Sequence, residues 1–107
     1  MLQRVILESP YAGDVLQNER YARLCMHDCL QRGVAPFASH LLYTQPFVLD
    51  DTDPVQRRLG MEAGFSWGEV ADYVVVYDDL GVSPGMKEGI KRARDRGLDI
   101  LYRSLGI

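Results

Sequence analysis

Five consecutive residues, Tyr73-Val74-Val75-Val76-Tyr77, are all β-branched or aromatic. An amphipathic strand alternates apolar and polar residues. This run does not, so it predicts a central strand buried on both faces. The rest of the chain alternates apolar runs with amphipathic segments, the pattern of βαβ units around a mostly parallel sheet. The sequence is therefore read as α/β. At 107 residues it is read as a single domain spanning residues 1–107.

A first strand is expected from Arg4 to Ser9, with Val5-Ile6-Leu7 at its centre. Pro10 and Gly13 form a turn, and Asp14 is placed to cap a helix over Val15 to Arg32. On that helix Val15, Ala22, Cys25, Met26, Cys29 and Leu30 recur at spacings of three and four, and Gly33 ends it. The same stripe makes Cys25 and Cys29 small core residues rather than redox groups or metal ligands. A short strand follows near Val34 to Ala38, then a long loop from Ser39 to Pro46.

Thr52-Asp53-Pro54 marks the start of a second helix that carries Val55 and Leu59 and stops at Gly64. A short turn or helix at Phe65 to Val70 leads into the central strand. The last helix, about Gly85 to Arg96, buries Met86, Ile90 and Ala93, and Gly97 caps it. Leu98 to Tyr102 is the final strand.

In an open parallel sheet, ligands bind where loops leave the carboxyl ends of the strands. This brings together three loops: Pro10 to Asn18, Ser39 to Gln45 and Asp78 to Gly85. Tyr11 can stack on a base or sugar, or plug the sheet edge. Gly13 and Asp14 shape the first loop. Asn18 either faces the ligand or caps local backbone. Ser39 and His40 follow a buried strand, and His40 can serve as acid, base or donor, or simply bond loop backbone. Ser83-Pro84-Gly85 opens a helix whose free N–H groups suit a phosphate, and the same tripeptide fits an ordinary serine cap. Asp78 and Asp79 can hold a sugar hydroxyl, act as a base, or stay solvated in their turn.

Charge narrows the partners. Lys and Arg total 12 against 15 Asp and Glu, a net charge of −3. That balance disfavours binding nucleic acid through its phosphates. No apolar run is long enough for a membrane span, and no secretory pattern opens the chain, so a cytoplasmic location is expected.

The strand and turn Val5-Ile6-Leu7-Glu8-Ser9-Pro10-Tyr11 resemble the nucleoside 2-deoxyribosyltransferase-like superfamily. So do Ala35-Pro36-Phe37-Ala38-Ser39-His40, Trp67 with Ala71-Asp72 and the valine strand, and Ser83-Pro84-Gly85-Met86. The likeness covers nearly the whole chain and points to a small branch found in bacteria and their phages. It implies a flavodoxin-like three-layer sandwich with four to five strands, a nucleoside, nucleotide or related phosphate as ligand, and a homo-oligomer. Tyr43, Phe47 and Trp67 are candidates for the contact between copies, or for packing within their own chain. No cofactor or metal is implied.

Active members of the superfamily attack the anomeric carbon with a glutamate near the start of the helix after the central strand. This sequence departs from that pattern. Alignment on Gly89 places the position at Lys87, and alignment on Gly97 places it at or near Gly89. Glu88 lies next to both but matches neither, and with Met86, Ile90 and Ala93 as the inward stripe it is expected to point elsewhere. Asp78 and Glu88 are the candidate catalytic acids; Glu8 and Glu69 are further acids that the sequence does not place relative to the edge. Two functions are expected in parallel: action on an N-glycosidic bond, or non-catalytic sensing or sequestering of a nucleotide in the same pocket.

Overall fold

The structure, a computed structural model, describes all 107 residues. Four strands form one fully parallel sheet: β1 (Gln3–Glu8), β2 (Val34–Phe37), β3 (Tyr73–Tyr77) and β4 (Ile100–Arg103). Their spatial order is β2-β1-β3-β4. The chain steps outward from β1 to β2, then crosses back over β1 to β3, so strand order reverses between β1 and β3. The fold is α/β and compatible with a flavodoxin-like three-layer arrangement. β3 is buried from Val74 to Tyr77, as its composition predicts. Pro36 sits in β2, which is an edge strand, where a missing N–H costs no ladder bond on the open side.

Alternation along the strands sorts the core into two halves. Val5, Leu7, Val75 and Tyr77 face helix α1 (Val15–Gln31), packing on Tyr21, Ala22, Cys25 and Cys29. Val74 and Val76, with Ile6, face helix α4 (Pro84–Arg96), packing on Met86, Ile90 and Ala93. Both thiols are buried and free, and burial pushes that of Cys25 up to about 12, which keeps it a protonated core group. Tyr21, not expected inside, is buried, whereas Leu30 is exposed.

Helix α3 (Pro54–Ser66) lies beside α4. Arg58 pairs with Glu88 at 2.6 Å and Arg92 with Glu62 at 2.6 Å, tying the two helices together. The expected stop at Gly64 does not occur: α3 runs through it to Ser66, followed by a 3-10 turn at Trp67–Glu69. Its inward positions are Gly64 and the half-buried Gly60 and Met61, not Val55 and Leu59, which are exposed. The expected loop after β2 begins instead with a short helix, α2 (Ser39–Leu42), whose Leu41 enters the core. The final strand starts at Ile100, two residues later than its apolar run suggests, because Val74 and Ile100 are register partners. No helix is long and apolar enough to cross a membrane.

Candidate functional site

A cavity of about 230 Å³ opens at the carboxyl end of β1, beside the point where strand order reverses. Its walls come from the segment after β1 (Tyr11, Ala12), from α2 (Ser39, His40), from α3 (Arg57, Gly60, Met61, Phe65) and from the first turn of α4 (Ser83, Pro84, Gly85, Met86). A narrower recess of about 40 Å³ continues inward between α3 and α4. Glu8, Ser39 and Phe65 line both spaces.

Glu8 is the last residue of β1 and lies on the α4 side of the sheet, two residues after Ile6. Its carboxyl group projects into the gap between β1 and α4. Position 89 of α4 is glycine, and a Cβ built there would collide with Glu8 Oε2 and lie 2.8 Å from the carboxyl carbon. Glycine in a helix interior costs roughly 0.5–1 kcal/mol relative to alanine. Here it opens the notch that the carboxyl group fills. No hydrogen bond and no ion pair engages that group, and its surroundings include Ile6, Val74, Phe65, Ala93 and Leu98. Burial without a compensating cation pushes its pKa up to about 8.

Ser9 follows and is buried. Its Oγ shares a 2.6 Å hydrogen bond with Nε2 of His40 at the first turn of α2. Burial lowers the His40 pKa to about 4, so the ring is neutral at neutral pH and a weak base. Ser39 is held close to α3, because a Cβ on Gly64 would sit 2.6 Å from its Oγ. At the mouth, Arg57 pairs with Asp51 at 2.7 Å. The Arg57 guanidinium also lies against α4, 3.4 Å from where a Cβ of Gly85 would stand. Ser83 caps α4 by accepting from the N–H of Met86 at 3.3 Å, and the Gly85 N–H has no acceptor within the chain. The positive end of the helix dipole and the Arg57 cation therefore converge on one wall.

Tyr11, Ser39, His40, Ser83 and Gly85 are thus brought together as expected. The other candidates are not. Glu88 is held by Arg58 at 2.6 and 3.0 Å on the outer side of α4, and this pairing lowers its pKa. Asp78 is exposed in a turn, its N–H donating to Arg103 O and its C=O accepting from Gly81. Gly13 adopts φ 101° in the β1–α1 turn, and Asp14 caps α1 by accepting from Gln17 at 3.2 Å. Asn18 donates to the carbonyls of Tyr11 and Ala12 at 2.9 and 3.1 Å, bracing the loop that presents Tyr11. Ser9, Asp51, Arg57 and Phe65 were not anticipated. The sequence did carry one signal for the notch: Gly89 stands inside the helical pattern of Gly85 to Arg96 without ending it.

Over residues 3–103 the chain matches the family described as Domain of unknown function (DUF7768). It belongs to that family. A search of curated proteins finds no match. In this DUF7768 chain the chemistry available is that of an unpaired carboxyl group, a neutral imidazole bonded to a serine, and a cationic wall at a helix start. No group of three or more His, Cys, Asp and Glu side chains converges as metal ligands do.

The aromatic residues divide. Trp67 Nε1 donates to the Tyr43 hydroxyl at 2.9 Å and its ring lies 5.1 Å from that of Phe37, so both pack within their own chain. Phe47 is fully exposed at φ 69°.

Proposed function

We propose that the cavity binds a nucleoside or nucleotide and that the protein acts on its N-glycosidic bond, with Glu8 as the carboxyl group that meets the reacting centre. The observation that carries this reading is the Glu8 side chain itself. A carboxyl group that is neither paired nor hydrogen-bonded, on the wall of a cavity beside the strand-order reversal, has no evident structural role. Tyr11 and Phe65 supply faces for a base or sugar, and Arg57 with the Gly85 N–H supplies a wall for a phosphate. The likeness to the deoxyribosyltransferase-like superfamily supplies the ligand class. A cytoplasmic location and assembly into homo-oligomers, with Phe47 as a contact, belong to the same proposal.

The test is to incubate the purified chain with a panel of deoxynucleosides and their 5′-monophosphates and to follow free base by chromatography. Glu8→Gln is expected to lower base release by about 100-fold or more, a usual range for loss of an acid–base group, while ligand binding persists. Unchanged release in Glu8→Gln would overturn the role of this residue.

A second reading is favoured by one observation. Near the start of α4, where active members carry their glutamate, the only acid is Glu88, and Arg58 holds it away from the cavity. The cavity would then sense or sequester a nucleotide without cleaving it. Saturable binding by calorimetry with no base release selects this reading.

A further inference from the structure

We infer that Glu8, seated in the notch left by Gly89, is a proton donor to the departing base rather than a covalent nucleophile, and that Gly89 is the positioning residue for it. This rests on the proposed reaction at the N-glycosidic bond.

The argument begins with space. The Glu8 carboxyl group occupies the volume that any side chain at position 89 would need. A side chain at position 89 would therefore displace the carboxyl group from this place, and glycine leaves it there. The carboxyl group thus lies at the junction of the cavity and its inner recess, with hydrocarbon on several sides.

Charge comes next. The ionisable groups lining these spaces are His40 from α2, Asp51 and Arg57 at the mouth, Arg92 and Arg96 from α4, and the phenols of Tyr11 and Tyr43. β3 contributes only Val74. Arg57 is paired with Asp51, and Arg92 with Glu62 while also lying over the Phe65 ring. Neither those cations nor Arg96 makes a hydrogen bond to Glu8. Without a cation partner the carboxyl group holds its proton at neutral pH, consistent with its pKa of about 8. A nucleophile has to be ionised, whereas a proton donor has to be in the form that this setting favours.

The step balances without another reagent. The bond between the anomeric carbon and the base nitrogen breaks, and its electron pair goes to the base. The Glu8 proton is delivered to the base, which leaves neutral. The anomeric carbon, electron-poor, takes the oxygen of a water molecule, and the proton that water releases returns to the Glu8 carboxylate.

Three measurements on the full chain test this. The first is the pH profile of base release from a deoxynucleoside monophosphate. With Glu8 as donor, kcat/KM falls by about tenfold per pH unit above a break near 8. A profile that rises through this range, or a glycosyl group trapped on Glu8, overturns the donor role. The second is the titration of the Glu8 carboxyl carbon by NMR in the wild-type chain and in Gly89→Ala. Displacement from the notch is expected to bring the midpoint down toward the ordinary carboxylate range and to lower base release to the level of Glu8→Gln. An unchanged midpoint and unchanged release overturn the positioning role.

The third measurement covers the case in which Gly89→Ala folds poorly. In a Glu8→Ala background the collision is gone, so adding Gly89→Ala is expected to raise the melting temperature, because alanine is the better helix former. A fall there overturns the spatial argument. Absence of both binding and base release in the wild-type chain overturns the cavity reading and the donor role with it. Binding with the wrong pH profile overturns the donor role alone.

Discussion

Glu8 and His40 line the same cavity and are both shifted by burial, in opposite senses. Glu8 goes from 4.5 to about 8. Across that window the folded chain holds a proton that the unfolded chain has released, so this group's contribution to stability falls as pH rises. His40 goes from 6.5 to about 4, and there the folded chain has released a proton that the unfolded chain holds, so its contribution rises with pH. Glu8→Gln removes the first effect. Unfolding stabilities of the wild type and Glu8→Gln, measured in urea, are expected to differ little near pH 4.5. By pH 8 the variant is expected to lead by on the order of 2–3 kcal/mol, less than the full shift implies because the cavity admits solvent. Equal stability of the two chains at both pH values would remove the basis for a half-buried, protonated Glu8. The sequence offered Glu8 as one acid among several. An acid ending an apolar run has no marked partner or notch until α4, distant in the chain, is laid across it.

At the level of elements, α4 is the part written most fully in the sequence. Ser83 caps it, Pro84 takes its first turn, and Gly97 closes it at φ 85°. Because the Ser83 hydroxyl meets the N–H of Met86, Ser83→Ala is expected to cost about 1 kcal/mol. Calorimetry is expected to show a lower melting temperature, with the pH dependence of stability left in place. A variant as stable as the wild type would mean that other contacts suffice to start the helix. Helix α3 was less legible for a physical reason. Gly64 reads as a stop by propensity, yet in the fold it continues the helix because Ser39 needs its missing side chain. The same holds for α2, four residues whose helical turn depends on Leu41 reaching the core rather than on local pattern.

On the scale of the whole molecule, the acid that matters after β3 is Asp79, not Asp78. Its carboxylate accepts from the Tyr21 hydroxyl at 2.5 Å, Ser104 Oγ at 2.7 Å and the N–H groups of Leu105, Gly106 and Ile107 at 2.8 to 3.2 Å. Desolvation opposes ionisation there, but the hydrogen bonds from Tyr21, Leu105, Ser104 and Gly106 outweigh it and hold the pKa well below the usual range. One side chain thus clasps α1, the β3–α4 turn and the C-terminal segment. Asp79→Asn is expected to lower the melting temperature, and removal of residues 104–107 to add little further loss, since both break the same clasp. Additive losses in the double variant would show that the two act separately.

The sequence by itself determined the class of the fold and its central strand. It also determined where α1 and α4 begin and end, and which strand ends could carry a site. These follow from local pattern: runs of apolar residues, their spacing, and capping chemistry within one turn. The tertiary structure alone decided which acid faces the cavity, that Arg58 takes Glu88 out of contention, and that two helical glycines are notches for Glu8 and Ser39. Those outcomes depend on residues distant in the chain competing for the same few ångströms and the same charge, and local pattern carries no record of that competition.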